Sequence, residues 1–324
     1  MSTPDIEPIP DGTPRPLWSV MIPTYNCAQY LRQTLASVLA QDFGPEQMQI
    51  EVMDDVSIRD DPEGVVREIG KGRVAFHRHE KNQGVTRNFN ACIQRSRGEL
   101  VHILHGDDYV LPGFYQKIHA LAKQHELAAL LATRAFFVDK NNATLGVTPP
   151  LEKLATPSRR VENFYYRTPI QTPGVVVRRS FYEKHGGFNL NLSHTADCEM
   201  WARAVGLESG CVLSEPLACY RTFPENDSGL LARTAGNLHD IERLNQIFAG
   251  RYPDFDLGKG SRRVCRLALN QIRRFYDTGD AAAAEANLKF WNNYAPLNLR
   301  LRKFFNLSWQ KFFQRQPTAS QRPL

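Results

Sequence analysis

His105-Gly106-Asp107-Asp108 is the segment of this sequence best equipped for chemistry. It follows an apolar run, Leu100 to Leu104, and precedes Tyr109-Val-Leu-Pro112 and a helical pattern. Two adjacent carboxylates at the end of a buried strand repel each other, and an unpaired buried charge is costly. A divalent cation neutralises both, and a cation held by one or two carboxylates commonly also holds a diphosphate. The segment is therefore either the metal end of a nucleotide site or an exposed acidic turn in which Asp108 begins a loop. A second acidic cluster lies about ninety residues later, in Ala196-Asp-Cys-Glu-Met-Trp-Ala-Arg-Ala-Val-Gly206. Met200, Trp201, Ala204 and Val205 have helical spacing, so Asp197 stands near a helix start, a place that capping and the helix dipole also explain.

The elements that must position these acids alternate between strand and helix patterns. Leu17 to Pro23 is a short apolar strand, and Ala28 to Gln41 is a helix with Tyr30, Leu31, Thr34, Leu35, Val38 and Leu39 on one stripe. Strands follow at Gln49–Met53, Val74–His77, Leu100–Leu104 and in the region Leu127–Val138, with helices at Pro62–Ile69, Val85–Arg97 and Pro112–His125 between them. This order predicts right-handed crossovers and a mostly parallel α/β sheet flanked by helices. Ligands of such sheets bind beyond the carboxyl ends of the strands, and four consecutive strands end there in polar clusters. These are Pro23-Thr-Tyr-Asn26, Asp54-Asp55, Asn82-Gln-Gly84 with Arg87, and His105 to Asp108. No Gly-x-Gly-x-x-Gly follows the first strand and no P-loop motif is present, which disfavours a dinucleotide fold and excludes a P-loop enzyme.

A chain of 324 residues is one large or two small domains, and 42% hydrophobic residues are enough for a sizeable core. The six cysteines form no Cys-x-x-Cys pair and read as reduced thiols in a cytoplasmic protein. No stretch has the apolar length of a membrane span. Residues 1–16, rich in Pro and Asp, read as a flexible tail. From Lys259 onward 13 basic residues face three acids, whereas the rest of the chain carries a slight acidic excess. Residues 229–324 therefore form a helical, basic region, with helices expected at 230–250, 259–278 and 280–292. Within it, Arg300 to Arg315 places Leu301, Phe304, Phe305, Trp309, Phe312 and Phe313 at helical spacing among cations. Such a helix either makes a peripheral contact with the inner face of a membrane or docks on the catalytic domain. Nucleic acid is not an expected partner, because the site itself is acidic.

Ser19-Val-Met-Ile-Pro-Thr-Tyr-Asn26, Tyr30-Leu31, Ser37-Val-Leu-Ala-Gln41, Asp54-Asp-Val-Ser57, Asn82-Gln-Gly84, Gly98-Glu99 and His105-Gly-Asp-Asp108 occur in one order. Together they resemble the family 2 inverting glycosyltransferases, which have the GT-A fold, over roughly Leu17 to Arg221. The resemblance implies a catalytic domain at 17–228, with a nucleotide-sugar-binding half at 17–125 and an acceptor half at 126–228. It implies a nucleotide-sugar donor, Mg or Mn, a glycan or lipid-linked acceptor, and a place in cell-surface polysaccharide or lipopolysaccharide synthesis. Pro23, Thr24 and Tyr25 then lie against the nucleobase, Asp55 accepts from base or ribose, and Arg87 approaches the diphosphate with Gly106 and Asp107 beside it. Asp107 and Asp108 are the metal acids. After Gly186-Gly-Phe188, Asp197 takes the place of the general base, with Glu199 as support or substitute.

Two departures stand out. Relatives commonly carry an acid where this chain has His105, so imidazole becomes a candidate ligand for metal or nucleotide. The familiar Asp-Asp-Gly-Ser-Thr-Asp is here Asp54-Asp-Val-Ser-Ile-Arg59. These changes motivate a second reading, a non-catalytic sugar-nucleotide-binding or scaffold protein on the same fold.

Overall fold

The computed structural model describes residues 3–150, 170–223 and 227–296. These residues divide into two compact units, Met1–Asn226 and Asp227–Leu324.

The first unit is built on a nine-stranded sheet. Its strands are β1 (Trp18–Thr24), β2 (Met48–Asp54), β3 (Ala75–Arg78), β4 (Leu100–Ile103), β5 (Tyr109–Val110), β6 (Leu130–Val138), β7 (Thr144–Val147), β8 (Val175–Arg178) and β9 (Gly210–Arg221). They lie in the order β3-β2-β1-β4-β8-β6-β9-β5, with β7 on β6. All seven residues of β1 are buried, the mark of a central strand covered on both faces. Strands β1 to β4 pair in parallel. Strand β8 is antiparallel to both β4 and β6, so β6 and its parallel partner β9 run in the same direction as β4. Consequently the residues that follow β1, β2, β4, β6 and β9 all emerge at one edge of the sheet.

Helices α1 (Ala28–Leu39), α2 (Pro62–Gly70), α3 (Val85–Arg95), α4 (Phe114–Gln124), α5 (Arg179–His185) and α6 (Ala196–Leu207) complete the unit. The predicted stripe of α1 is the buried one, with Leu31, Thr34, Leu35 and Val38 facing inward. Helix α2 starts as its sequence dictates: Pro62 occupies the first position and the Asp61 carboxylate accepts from Gly64 N. The main core joins Trp18, Val20 and Ile22 of β1 to Leu31, Leu35, Phe114, Tyr115, Leu131 and Val176. The chain is thus a mixed α/β fold with a sheet flanked by helices. Antiparallel β5, β7 and β8 make the sheet less uniformly parallel than the strand–helix alternation predicted.

The second unit is helical: α7 (Asp227–Arg233), α8 (Gly236–Arg251), α9 (Leu257–Asp277) and α10 (Ala281–Tyr294). Asp256 and Asp280 cap α9 and α10 through Lys259 N and Ala283 N. Buried Asn287 donates to Ala232 O at 2.9 Å, tying α10 to α7. No described helix is long and apolar enough to cross a membrane. The aromatic basic segment at 300–315 lies outside the described residues.

The described part of the expected tail, residues 3–16, has no helix or strand, but it is anchored at several points. Ile6 is buried, Pro4 O accepts from Gly187 N, and Pro16 O accepts from Glu99 N.

The loop after β2 contains a strained residue. Val56 sits at φ +65°, in the left-handed region that a β-branched side chain rarely adopts. Its neighbours hold it there, because the Asp54 carboxylate accepts from Ser57 N and Ser57 Oγ while Asn26 Oδ1 accepts from Ile58 N and Arg59 N. Val56→Gly relieves that strain and is expected to raise the stability of the native state by about 0.5–2 kcal/mol. Equilibrium urea unfolding checks this, and an unchanged or lowered midpoint contradicts it.

Candidate active site

The turn after β4 is fixed by a few specific contacts. Gly106 N donates to Pro23 O, which carries the turn alongside the end of β1. A Cβ on Gly106 would come within 2.5 Å of Thr24 Oγ1 and 2.9 Å of Cys27 Sγ, so only glycine fits between His105 and Asp107. Thr34, buried on α1, donates its hydroxyl to Asp108 O at 2.6 Å and lies 3.0 Å from Gly106 O. At the other flank, Arg221 closes β9 over the turn. Its main-chain N donates to Asp108 Oδ1 at 2.8 Å and its Nε donates to Asp107 O at 2.8 Å. The guanidinium also reaches Gln33 Oε1 and lies 4.6 Å from the centre of the Tyr30 ring.

One ligand atom each from His105, Asp107 and Asp108 can be chosen so that all lie within 4.8 Å of one another. Asp108 is 1% exposed, and burial together with the neighbouring Asp107 charge pushes its carboxyl well above the ordinary carboxylate range. Its Oδ2 has no hydrogen-bond partner among the described residues, and neither has the buried Nε2 of His105. His105 Nδ1 lies 3.7 Å from Asp108 Oδ2. Burial lowers the imidazole to about 4, so it is neutral at neutral pH and offers a lone pair rather than a charge. Two carboxylates and a neutral imidazole, with Asp108 Oδ2 and His105 Nε2 buried and unpaired among the described residues, are a donor set that fits a divalent cation.

The acids after β2 divide their work. Asp54 is fully buried and is consumed by Ser57 and by Arg78 Nε at 2.6 Å. Asp55 accepts from Gln83 N at 2.6 Å and Gly84 N at 2.9 Å, while Asn82 Nδ2 donates to Asp55 O. Asp55 therefore fixes the loop that enters α3. Arg87, in the first turn of α3, is exposed and has no hydrogen bond or ion pair among the described residues. Pro23 and Thr24 are buried at the end of β1, and Tyr25 beyond them is 43% exposed.

Asp197 occupies the second position of α6. Its Oδ1 accepts from Cys198 N at 2.6 Å, and its Oδ2 accepts from Thr172 Oγ1 at 3.3 Å. Burial raises its carboxyl above the ordinary value, against the lowering effects of the Cys198 amide, His194 and Thr172. Thr172 begins the short turn that leads into β8, and His102 on β4 reaches Pro173 O in that turn. Since β8 starts beside the carboxyl end of β4, Asp197 stands at the sheet edge that also carries His105. Glu199 is different: fully buried, it pairs with Arg203 Nε at 3.1 Å, and Arg203 in turn binds the carbonyls of His185, Gly186 and Gly187.

A run of rings connects the two clusters. His105 stacks on Phe89 at 5.1 Å, Phe89 meets Phe188 at 5.3 Å, and Phe188 meets Trp201 of α6 at 5.9 Å. The sequence gives no signal for this run, nor for the roles of Thr34 and Thr172. Arg221 is legible in the sequence as the end of a strand, Leu217 to Arg221, and as a match to the Tyr-Arg segment of the resembled family, but not as the residue that closes over the His105 turn.

A family model described as Glycosyl transferase family 2 matches residues 19–186, just over half of the chain. "Uncharacterized protein MT1568" of Mycobacterium tuberculosis is 27% identical over 241 residues, 71% of this chain and 75% of its own length. "Uncharacterized glycosyltransferase MG025" of Mycoplasma genitalium is 28% identical over 229 residues, 65% of this chain and 70% of its own. Among solved structures, S. aureus TarS 1-349 in complex with UDP-GlcNAc is similar with a TM-score of 0.56 at 19% identity, covering 80% of this chain and 73% of that one. The mannosyltransferase PcManGT from Pyrobaculum calidifontis, in complex with GDP-Man and Mn2+, gives 0.53 at 16% identity, covering 93% and 82%. At such identities the likeness speaks for the fold.

His102 yields a pH-dependent expectation. A carbonyl only accepts, so Nε2 donates to Pro173 O at 3.0 Å, and Nδ1 then accepts from Tyr115 Oη at 3.1 Å. Burial holds this imidazole down to about 3. The unfolded chain takes up a proton near 6.5 that the native chain refuses, so this stability is present above 6.5 and lost as pH falls toward 3. Raised Asp108 and Asp197 oppose that slope, which makes the difference between variants the clean reading. Between pH 6 and 4, the stability of His102→Asn is expected to fall less steeply than wild type by about 1.4 kcal/mol per pH unit. Parallel slopes in urea unfolding contradict it.

Proposed function

The chain belongs to glycosyl transferase family 2, and on that premise we propose that it moves a sugar from a nucleotide-sugar donor to a hydroxyl acceptor with inversion at the anomeric carbon. The observation that carries this reading is the unpaired Oδ2 of buried Asp108, beside His105 and Asp107 at the carboxyl edge of the sheet. Family membership favours turnover over the non-catalytic reading, and the matched solved structures in complex with UDP-GlcNAc and with GDP-Man are of the same fold.

Asp107 and Asp108, with His105, are the residues that would hold a divalent cation. Mg or Mn bound there supplies Lewis-acid neutralisation of the diphosphate leaving group. Pro23, Thr24 and Tyr25 shape the nucleobase side, and Asp55 holds the loop from which Arg87 extends toward phosphate oxygens. Asp197 accepts the proton of the acceptor hydroxyl as its oxygen bonds to the anomeric carbon. The bond from that carbon to the diphosphate oxygen breaks, and its electron pair leaves with the nucleoside diphosphate. A carboxyl raised by burial is better matched to proton transfer near neutral pH than an ordinary one. Thr172 and the Cys198 amide orient the carboxylate. The acceptor class is a glycan or a lipid-linked glycan of cell-surface polysaccharide assembly. That part of the reading rests on the family alone.

Asp197 and Glu199 separate cleanly by experiment. In a panel of nucleotide sugars scored for cation-dependent nucleotide release, Asp197→Asn is expected to lose about 100-fold or more in kcat with nucleotide binding retained. Glu199→Leu leaves Arg203 as an uncompensated buried charge and is expected to cost about 3–5 kcal/mol of stability. Near-wild-type transfer by Asp197→Asn sinks the base assignment, and full stability of Glu199→Leu sinks the structural role of Glu199.

A further inference from the structure

We propose that residues 3–7 act as a strap that positions Asp197 through the Gly186-Gly187-Phe188 turn; the proposal rests on Asp197 being the general base. The strap lacks helix and strand, and it is held mainly by main-chain carbonyls. Pro4 O accepts from Gly187 N at 2.9 Å, Asp5 O from Gln94 Nε2 at 2.8 Å, and Glu7 O from Arg179 Nη2 at 2.9 Å. Arg179, itself 1% exposed, also donates to Ser96 Oγ at 2.8 Å, so the strap is fastened to both α3 and α5. Between these tethers Ile6 is 2% exposed.

The two glycines are where the layers meet. Gly186 leaves α5 at φ +79°, and a Cβ on it would stand 3.0 Å from Pro4 O. A Cβ on Gly187 would overlap Asn90 Oδ1 at 2.2 Å and come 3.4 Å from Ile6 Cδ1. Asn90 then clasps the next residue, accepting from Phe188 N at 2.7 Å and donating to Phe188 O at 3.0 Å. Arg203 of α6 binds the carbonyls of the same turn, and Trp201 of α6 packs on the Phe188 ring. Asp197 lies one helical turn before Trp201. The chain of contacts therefore runs from Pro4 and Ile6 to Gly187 and Phe188, then through Arg203 and Trp201 to the helix that carries the base. A displacement of about 1 Å in a reacting group is enough to cost orders of magnitude in rate, so these remote contacts bear on turnover.

The test uses the full chain with Ile6→Ser, Ile6→Val as the conservative rescue, and Gln94→Met, which cuts the Asp5 tether without entering the core. Hydrogen–deuterium exchange reads the strap directly. Amides of 187–200 are expected to exchange at least about tenfold faster in Ile6→Ser and Gln94→Met, while those of β1 and β2 keep their protection. With the best nucleotide sugar of the panel, kcat is expected to fall about tenfold or more, with KM within about twofold and Ile6→Val near wild type. Unchanged protection of 187–200 in both variants overturns the proposal, as does protection lost equally across the sheet in Gln94→Met. Faster exchange with unchanged kcat overturns the link to Asp197. The base assignment itself is judged separately, on Asp197→Asn.

Discussion

The constraint on which this structure turns is the buried carboxylate of Asp108. One oxygen is met by the Arg221 main-chain amide, the other has no described partner, and a second carboxylate, Asp107, precedes it in the same turn. Folding alone gives no reason to accept that cost. The surroundings are nevertheless built to hold it. Gly106 lets the turn press against Thr24 and Cys27, Thr34 takes two of its carbonyls, and Arg221 lies across it. Strand β9 pairs in parallel with β6 from Gly210 to Arg221, with register shifts about Arg134, and that pairing carries Arg221 to the turn. A neutral imidazole beside the pair completes a donor set, not a salt bridge.

The same economy of contacts joins the His105 turn to the start of α6. The rings of His105, Phe89, Phe188 and Trp201 form a continuous path of ring contacts between α3 and the helix that carries Asp197. Packed rings transmit displacement because interiors are dense and adjust in discrete steps. The Gly-Gly-Phe turn therefore links both halves of the site, which gives a physical reason for two glycines in succession there.

Much of this was readable from residue order, and the exceptions have causes. Strands β1 to β4 are mostly apolar runs separated by helices with an apolar stripe, and their observed bounds fall within a few residues of the predicted ones. Strand β5 has two residues, too few for a pattern, and β7 is largely exposed, so no apolar run marks it. The first half of β9 is only partly buried and mixes Ser214, Glu215 and Pro216 into its pattern, so only Leu217 to Arg221 announced itself. The N-terminal segment looked loose because carbonyl tethers leave no trace in side-chain type. Asp55 reads from sequence as a nucleotide residue; the structure shows its carboxylate clamping the α3 loop, a partnership set by distant main-chain amides. Val56 stands where glycine is familiar, and the left-handed φ at that position explains why glycine would be the easier residue.

His105 supplies an imidazole beside two carboxylates, and its chemistry has a spectroscopic signature. An imidazole in place of a carboxylate favours a first-row transition metal over Mg. Pulsed EPR of Mn2+ titrated into the metal-free protein tests the account most directly. A single bound ion is expected, whose nitrogen modulation disappears in His105→Asp and whose binding is lost in Asp108→Asn. No tightly bound Mn2+, or binding indifferent to Asp108→Asn, contradicts it.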